Sequence, residues 1–314
     1  MKIFRSFDIP SNFLDAVIAI GNFDGLHLGH QKVILEAKKI SKEKKRKLGV
    51  LTFEPHPKCF FKKKFDFFRL SPFRVKHLLM KEIGVEFMLN IKFDSKLVSM
   101  QAEDFVKKIL IKKLKVFCVV TGFDFVFGNQ QSGNVSTMKK ISKLTDNFFF
   151  KEVSEFKFRD NEFSSSQIRK SLRNGNLNEA NKILSRKWMI ISRVRKGVKK
   201  ARQIGFKTAN LKINDYCNLL YGVYFVNVTI LDSRIDNKFN GIANYGVKPT
   251  FEKNEPLLEV HLFGFDEDIY GKKLKIEFVK LVREEKKFES IEKLKDQIIK
   301  DINTVKNDKL FKNN

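Results

Sequence analysis

Ten consecutive residues, Gly21-Asn22-Phe23-Asp24-Gly25-Leu26-His27-Leu28-Gly29-His30, hold three glycines and two histidines spaced three apart. Glycine lets a backbone turn sharply and come close to a ligand, and a helix that begins at such a turn aims its unbonded N–H groups and positive dipole end at the same spot. The segment reads as an anion site: Gly21, Asn22, Phe23, Asp24 and Gly29 border a phosphate, and His27 and His30 donate hydrogen bonds to its oxygens. Zinc is the weaker reading, because no third ligand is positioned by the sequence. Ser164-Ser165-Ser166-Gln167-Ile168-Arg169 forms a second cradle, with hydroxyls and an N-cap ahead of a helix whose first turn presents Arg169. Together the two elements suggest a triphosphate gripped at two points. The sequence contains no GxxxxGK[ST], which argues against P-loop chemistry.

Further along the chain, Arg202-Gln203-Ile204-Gly205-Phe206-Lys207-Thr208-Ala209-Asn210 reads as a loop between strands. Thr208 and Asn210 alternate, so both can point the same way from an extended segment and offer oxygens to a hard cation. Glu259 lies in Leu258-Glu259-Val260-His261-Leu262-Phe263, sharing a face with His261 and Phe263 rather than with the apolar set. Two uses of that carboxylate stay open: accepting a proton from an attacking hydroxyl, or facing solvent.

These groups need elements to hold them. In the first half, Asp15 to Ile20, Leu48 to Phe53, Glu86 to Asn90 and Lys115 to Thr121 read as buried strands, separated by helical spacing over His30 to Ile40, Pro72 to Glu82 and Ala102 to Leu114. Alternation of that kind predicts βαβ units in a parallel sheet, with ligands at the carboxyl ends of its strands. Helices over Ser166 to Asn174 and Leu177 to Leu184 follow. After Ser185 the texture changes: Trp188 to Arg195, Gly222 to Leu231, Phe239 to Tyr245, Leu258 to Phe265 and Leu274 to Val282 are apolar or alternating runs without intervening helices. They predict an antiparallel sheet or small barrel. A closing helix is capped by Ser290 and carries Ile291, Leu294, Ile298 and Ile302 on one face. The boundary falls near Ser185 to Lys187, dividing the chain into 1–186 and 187–314.

At 314 residues, with hydrophobic residues at 42% and charged ones at 31%, the chain is a globular protein of about two domains rather than a disordered or fibrous one. It carries no apolar run of membrane-spanning length and no secretory signal pattern, so the cytoplasm is the expected location. Cys59, Cys118 and Cys217 lie far apart and read as small buried hydrophobes. The net charge of +26 would attract polyanions. Lys greatly outnumbers Arg, however, and is spread over the whole chain, which reads as a compositional bias. A dedicated nucleic-acid binder concentrates its charge and leans on Arg.

The Gly21–His30 and Ser164–Arg169 elements resemble the HxGH and SSTxxR motifs of the nucleotidyltransferase superfamily. Thr52-Phe53-Glu54-Pro55-His56-Pro57 and Gly122-Phe123-Asp124-Phe125-Val126-Phe127-Gly128 resemble its FMN adenylyltransferase branch. The second half resembles riboflavin kinases: Arg202–Asn210 is similar to their PTAN segment, 241–251 to their GxANxGxRPTF stretch, and Arg283-Glu284-Glu285-Lys286-Lys287-Phe288 to their RxExKF stretch. The resemblance implies a Rossmann-like nucleotidyltransferase domain with a parallel sheet, followed by a small antiparallel β-barrel domain with a C-terminal helix. It implies that His27 and His30 stabilise the ATP phosphates while FMN attacks the α-phosphorus, with Ser166 and Arg169 holding the β/γ end and Ser164 and Ser165 binding phosphate beside them. His56, Asp124 and Phe125, and in the kinase half Asn244 and Arg283, would contact flavin. Thr208 and Asn210 would bind Mg²⁺ and ATP beside Arg202 and Gly205, and Glu259 would orient or deprotonate the ribityl hydroxyl. Riboflavin, FMN and ATP are then the partners, with FAD the product and no nucleic acid or membrane.

The sequence departs from these patterns at several places. Lys207 stands where the family has Pro, Ala201 where a Gly precedes the Arg, Ser166 where it has Thr, and Val126, Gln130 and Gln131 where basic residues are favoured. These changes put kinase efficiency and the grip on a phosphate or the flavin in question. Lys58 to Arg69 mixes Phe with Lys and reads either as a surface flap or as a stacking surface for a flavin. The competing functions are a basic nucleic-acid-binding protein on an enzyme-like scaffold and an adenylyltransferase for another phosphorylated acceptor.

Overall fold

The computed structural model describes residues 1–62, 68–155, 157–158, 161–195, 205–231, 238–247 and 256–312. Ala201, Arg202 and the 248–251 part of the kinase-like stretch lie outside the described residues. Packing divides the chain into two units, 1–65 with 76–164 and 66–75 with 165–314.

The first unit is built on six parallel strands in the order β1-β4-β3-β2-β5-β8. Its elements run β1 (Lys2–Phe4), β2 (Val17–Ile20), helix α1 (Leu28–Glu43), β3 (Leu48–Glu54), helix α2 (Pro57–Lys62), helix α3 (Phe73–Ile83), β4 (Phe87–Lys92), β5 (Cys118–Gly122), the hairpin β6 (Val126–Phe127) and β7 (Gly133–Asn134), helix Val135–Lys143, β8 (Phe149–Val153) and the hairpin β9 (Lys157–Phe158) and β10 (Asn161–Glu162). One sheet face carries Ile18, Ile20, Leu51, Phe87, Leu89 and Val119 in a core shared with Phe105, Leu110 and Met138. Alternation sends the buried Ala19, Val50 and Met88 to the other face, the side of α1 and its buried Val33, Ile34 and Ala37. Both faces are covered, which is why β2 and the middle of β3 are apolar without a period.

The strands stand close to where periodicity puts them, and the differences have local causes. Asp15 has φ 57, which no strand allows, so β2 begins at Val17. The helix expected over Ala102 to Leu114 is a short turn at Ala102–Asp104 followed by a π-helix at Phe105–Lys113, with the Leu114 N–H donating to the Ile109 carbonyl five residues back. That wider winding turns Phe105, Val106 and Leu110 into the core together. Strands β1 and β8 carry little pattern because both are sheet edges with exposed side chains.

In the second unit, β11 (Trp188–Arg195), β12 (Ala209–Lys212), β13 (Gly222–Ile230), β14 (Lys238–Val247), β15 (Pro256–Leu262) and β16 (Lys273–Glu284) close a barrel in the order β11-β12-β15-β14-β13-β16. Every neighbouring pair is antiparallel. The loop expected between strands over Arg202 to Asn210 therefore ends in a strand, since Ala209 and Asn210 open β12. Trp188, Tyr224 and Phe278 fill the interior, all under 2% exposed. Outside, Val223, Phe225, Ile242 and Val279 pack with Ile298 and Ile302 of the C-terminal helix, Ile291–Lys306. Ser290 caps that helix as expected, its side chain accepting from the Lys293 N–H at 3.3 Å. Its buried positions are Asp301 and Val305, whereas Ile291 is exposed.

All three cysteines are free and buried. Burial pushes the Cys118 thiol up to about 12, so it remains a protonated, unreactive packing group. Among the described residues no helix is long and apolar enough to cross a membrane.

Gly49 of β3 lies opposite Phe87, and a Cβ there would collide with the Phe87 ring, which is fully buried. Gly49→Ala should destabilise the sheet unit by about 1–3 kcal/mol, the usual cost of overpacking. A lowered urea midpoint checks this; an unchanged midpoint would mean that the ring has room to move.

Candidate functional site

In the sheet order, β2 has β3 on one side and β5 on the other, and the chain winds outward from β2 in both directions. In open α/β sheets such a switch point leaves a crevice at the carboxyl ends, and ligands bind there. The loops that follow β2, β3 and β5 meet this edge, and they are the loops that carry the Gly21–His30, Thr52–Pro57 and Gly122–Gly128 motifs.

The β2–α1 turn is tight and buried. Phe23 (φ 49) and Leu26 (φ 44) are both left-handed and 1% exposed, with Gly25 at φ 85 between them. Bulky residues at positive φ each cost on the order of 1–3 kcal/mol and persist where the surroundings enforce them. Side chains at the glycines would spoil the turn: a Cβ at Gly21 would stand 3.0 Å from the Phe23 ring, and one at Gly29 would stand 3.2 Å from the His27 ring. Asp24 is 3% exposed. Helix α1 starts two residues earlier than periodicity suggests, which makes His27 its N-cap, with Nδ1 accepting from the His30 N–H at 3.4 Å. With Nδ1 accepting, the proton of a neutral His27 sits on Nε2, which makes that nitrogen the donor. The two imidazoles stack with centroids 3.7 Å apart and planes at 23°, and Phe23 meets His30 edge-on at 5.4 Å. Sequence and structure thus agree that His27 and His30 stand together at a helix N-terminus, an arrangement that accepts an anion.

The neighbouring loops hold the other expected residues of this unit. His56 precedes α2, its Nδ1 accepting from the Lys58 N–H at 3.2 Å. Asp124 is exposed, and Phe125 stacks on Phe127 at 5.2 Å and rests on the core. From the Phe-rich segment, Phe60 and Phe61 form an edge-to-face group with Phe93 at 5.4 and 5.9 Å, and Phe61 stays 62% exposed. A residue the motifs do not flag is Lys76 in α3, 5% exposed, whose Nζ donates to Thr52 Oγ1 at 3.2 Å. The signal was present, because Lys76 falls on the same helical stripe as Phe73, Leu79 and Ile83.

Helix Ser165–Arg173 belongs to the second unit, and Ser164 closes the first. Ser166 is exposed, while Arg169 is 6% exposed, with Nε donating to the Phe68 carbonyl at 2.8 Å and its guanidinium 4.0 Å above the Phe68 ring. Gln167 and Ser171 both hydrogen-bond Glu179, which holds that carboxyl below the usual range.

On the barrel, register brings together three residues far apart in sequence. Asn210 of β12 lies opposite Glu259 of β15, which lies opposite Asn244 of β14. Directly opposed residues share a face with Cβ atoms roughly 5 Å apart, so the three form one polar row across the strands. Thr208 and Asn210 line a cavity of about 210 Å³ together with Val194, Val260, Leu262 and Tyr270; Glu259 is outside that lining. Gly205 sits at φ 89 in the turn before it. Lys207, in place of the family's Pro, has its carbonyl 2.8 Å from His261 Nδ1 and its ammonium paired with Asp266. The segment is therefore pinned without proline. Among the described residues no group of three His, Cys, Asp or Glu could hold a metal. The neutral oxygens of Thr208 and Asn210 fit a hard cation whose charge is balanced by nucleotide phosphates.

Arg283 is turned to the C-terminal helix. Its Nε lies 3.0 Å from both carboxylate oxygens of Asp301, which also accepts from Gln297 Nε2 at 2.8 Å. Asp301 is 3% exposed and went unnoticed in the sequence, because its partner is on another element.

A helix N-terminus bearing two stacked imidazoles at the switch point of a parallel sheet, followed by a closed antiparallel barrel with Asn210, Glu259 and Asn244 in register, is the frame of a two-unit nucleotide-using transferase. A FAD synthetase family model matches residues 9–167 and a riboflavin kinase model matches 184–308. Three curated relatives are each named bifunctional riboflavin kinase/FMN adenylyltransferase. That of Buchnera aphidicola from Schizaphis graminum is 38% identical over 93% of both chains, and that of Haemophilus influenzae 37% over 98% of both. That of Bacillus subtilis is 38% identical over 91% of this chain and 90% of its own. The chain belongs to the bifunctional riboflavin kinase/FMN adenylyltransferase family. Among solved structures, one titled a macrolide-efflux protein from Streptococcus pneumoniae superposes with a TM-score of 0.84 and 28% identity over 97% of this chain and 98% of its own.

The Arg283–Asp301 pair gives this unit a stability test. Asp301→Ala leaves a largely buried guanidinium uncompensated and should cost about 3–5 kcal/mol. Asp308→Ala breaks the more exposed Lys280 pair and should cost no more than about 1 kcal/mol. Equal denaturation midpoints for the two variants would contradict the assignment.

Proposed function

We propose that the barrel unit phosphorylates riboflavin to FMN with ATP and that the sheet unit adenylylates FMN with a second ATP to give FAD. The functional division follows 1–186 and 187–314, in keeping with the two matched families. In the first reaction the ribityl 5′-hydroxyl attacks the γ-phosphorus of ATP, the bond to ADP breaks, and the hydroxyl proton passes to Glu259. Thr208 and Asn210 would hold Mg²⁺, which supplies charge neutralisation at the phosphates. Asn210 stands in register with Glu259 on the neighbouring strand, which supports this division of labour. Phosphoryl transfer has a loose transition state, so positioning outweighs the base. Asn244, in register with Glu259, and the segment anchored by Arg283 would face the flavin.

In the second reaction a phosphate oxygen of FMN attacks the α-phosphorus, the bond to the β-phosphate oxygen breaks, and pyrophosphate leaves. No covalent enzyme intermediate forms. His27 Nε2, His30 and the first-turn N–H groups of α1 stabilise the developing charge, and Gly21 to Asp24 border the triphosphate. His56, Asp124 and Phe125 are assigned to the flavin side. The observation that carries this half is the stacked His27/His30 pair at the N-terminus of α1, at the switch point. With free small-molecule substrates the cytoplasm is the proposed location.

A time course with riboflavin, ATP and Mg²⁺ tests both halves. FMN should rise before FAD. His27→Ala should stop at FMN, with FAD formation down about 10²–10³-fold, the usual loss of one preorganised donor. Asn210→Ala should make FAD only from supplied FMN, and Glu259→Gln should lower kcat for riboflavin more than it weakens ATP binding. FAD formation at the normal rate by His27→Ala would overturn the sheet-unit assignment, and unchanged turnover by Glu259→Gln would overturn the base.

A further inference from the structure

Lys76 is almost fully buried, in a position where the rest of its helix stripe is apolar. Lysine is almost never found there without a partner, because withdrawing an ammonium from water is expensive. It lies beneath the β2–α1 turn. Its Nζ donates to Thr52 Oγ1 at 3.2 Å, and the Thr52 hydroxyl donates to the Asn22 carbonyl at 3.4 Å. The direction of this chain is fixed by chemistry. An ammonium only donates, so the hydroxyl must accept from it, which leaves the hydroxyl proton for Asn22. Asn22 is the residue at which the chain leaves the strand for the left-handed Phe23. On the same sheet face Asn90 stands opposite Thr52, 3% exposed, and neither its side-chain oxygen nor its nitrogen has a hydrogen-bond partner among the described residues. Three polar side chains thus occupy a stretch of sheet face whose other positions, Ala19, Val50 and Met88, are apolar.

We infer that Lys76 is a positioning residue for adenylyl transfer: through Thr52 it fixes the Asn22 carbonyl and with it the turn that sets His27 and His30 against the triphosphate. The proposal rests on the assigned adenylylation in the sheet unit and adds to it a residue that none of the sequence motifs contains. Lys76 acts through Thr52 and the backbone. A filler of similar length such as methionine preserves the packing and removes the function.

The full chain supplies its own control, since riboflavin phosphorylation is assigned to the other unit. Thr52→Val, Thr52→Ser, Lys76→Met and the double variant Thr52→Val/Lys76→Met are assayed for FAD formation from FMN and ATP and for FMN formation from riboflavin and ATP. Thr52→Val and Lys76→Met should each lower kcat/KM for adenylylation roughly 10- to 100-fold, the scale of a small misplacement of catalytic groups. Riboflavin phosphorylation should stay unchanged. Thr52→Ser, which keeps the hydroxyl, should retain most of the rate. The double variant should be no worse than the poorer single one, because both changes break the same chain. Normal FAD formation by Thr52→Val, equal losses in Thr52→Ser and Thr52→Val, or a loss of phosphorylation in step with adenylylation would each overturn the proposal. If Lys76→Met does not fold, the Thr52 pair alone decides. An unsubstituted chain that makes FMN and never FAD would overturn the adenylylation assignment and this proposal with it.

Discussion

A chain leaving a buried parallel strand must change direction within a few residues if the next helix is to aim its N–H groups back over the strand's end. Here that constraint is met by Phe23 and Leu26, bulky residues forced into left-handed backbone and sealed from water, with Gly25 between them. The strain is balanced by packing: Phe23 edge-on to His30, Gln31 Nε2 donating to the Leu26 carbonyl at 2.9 Å, and Thr52 holding Asn22 from below. The rest of the sheet unit serves this turn. Two covered faces keep β2 rigid, and the outward winding from β2 opens the crevice in which the turn lies.

The second unit meets the same substrate by different physics. Among the described residues of the barrel, the groups on offer are the neutral oxygens of Thr208 and Asn210 and the Glu259 carboxylate on the strand beside Asn210. Such a set suits a phosphate that brings its own cation, whereas the first unit suits a phosphate held by N–H donors and imidazoles. Apart from Lys76 and Lys207, little of the lysine is tied to either place. Much of it lies on exposed helix faces, as in the Lys107 and Lys108 pairs with Glu103 and Asp104, and surface charges more than ~8–10 Å away are screened at ordinary ionic strength.

What the sequence reveals tracks how local each feature is. Gly21–His30 could be read because strand, turn and helix follow one another without a break, and the capping role of Ser290 could be read for the same reason. Asn210, Glu259 and Asn244 could be singled out separately, but their alignment depends on strand register across the barrel, which no short segment carries. Asp301 is recognisable as a partner only once Arg283 is seen beside it. The π-helical winding of Phe105–Lys113 was hidden because its apolar residues also satisfy a helical period. Lys207 shows the limit of reasoning from a motif: the loss of proline implies a looser segment, yet His261 and Asp266, distant in sequence, hold it in place.

The central claim is that the nucleotide's phosphates rest on the first turn of α1 beside His27 and His30. A crystal structure of the chain with a non-hydrolysable ATP analogue bridged by a methylene group between the α- and β-phosphorus tests it most directly. The account predicts triphosphate density against the Leu28–His30 backbone and within hydrogen-bond reach of both imidazoles. Analogue bound at the barrel while the β2–α1 turn stays unliganded at saturating concentration would contradict it.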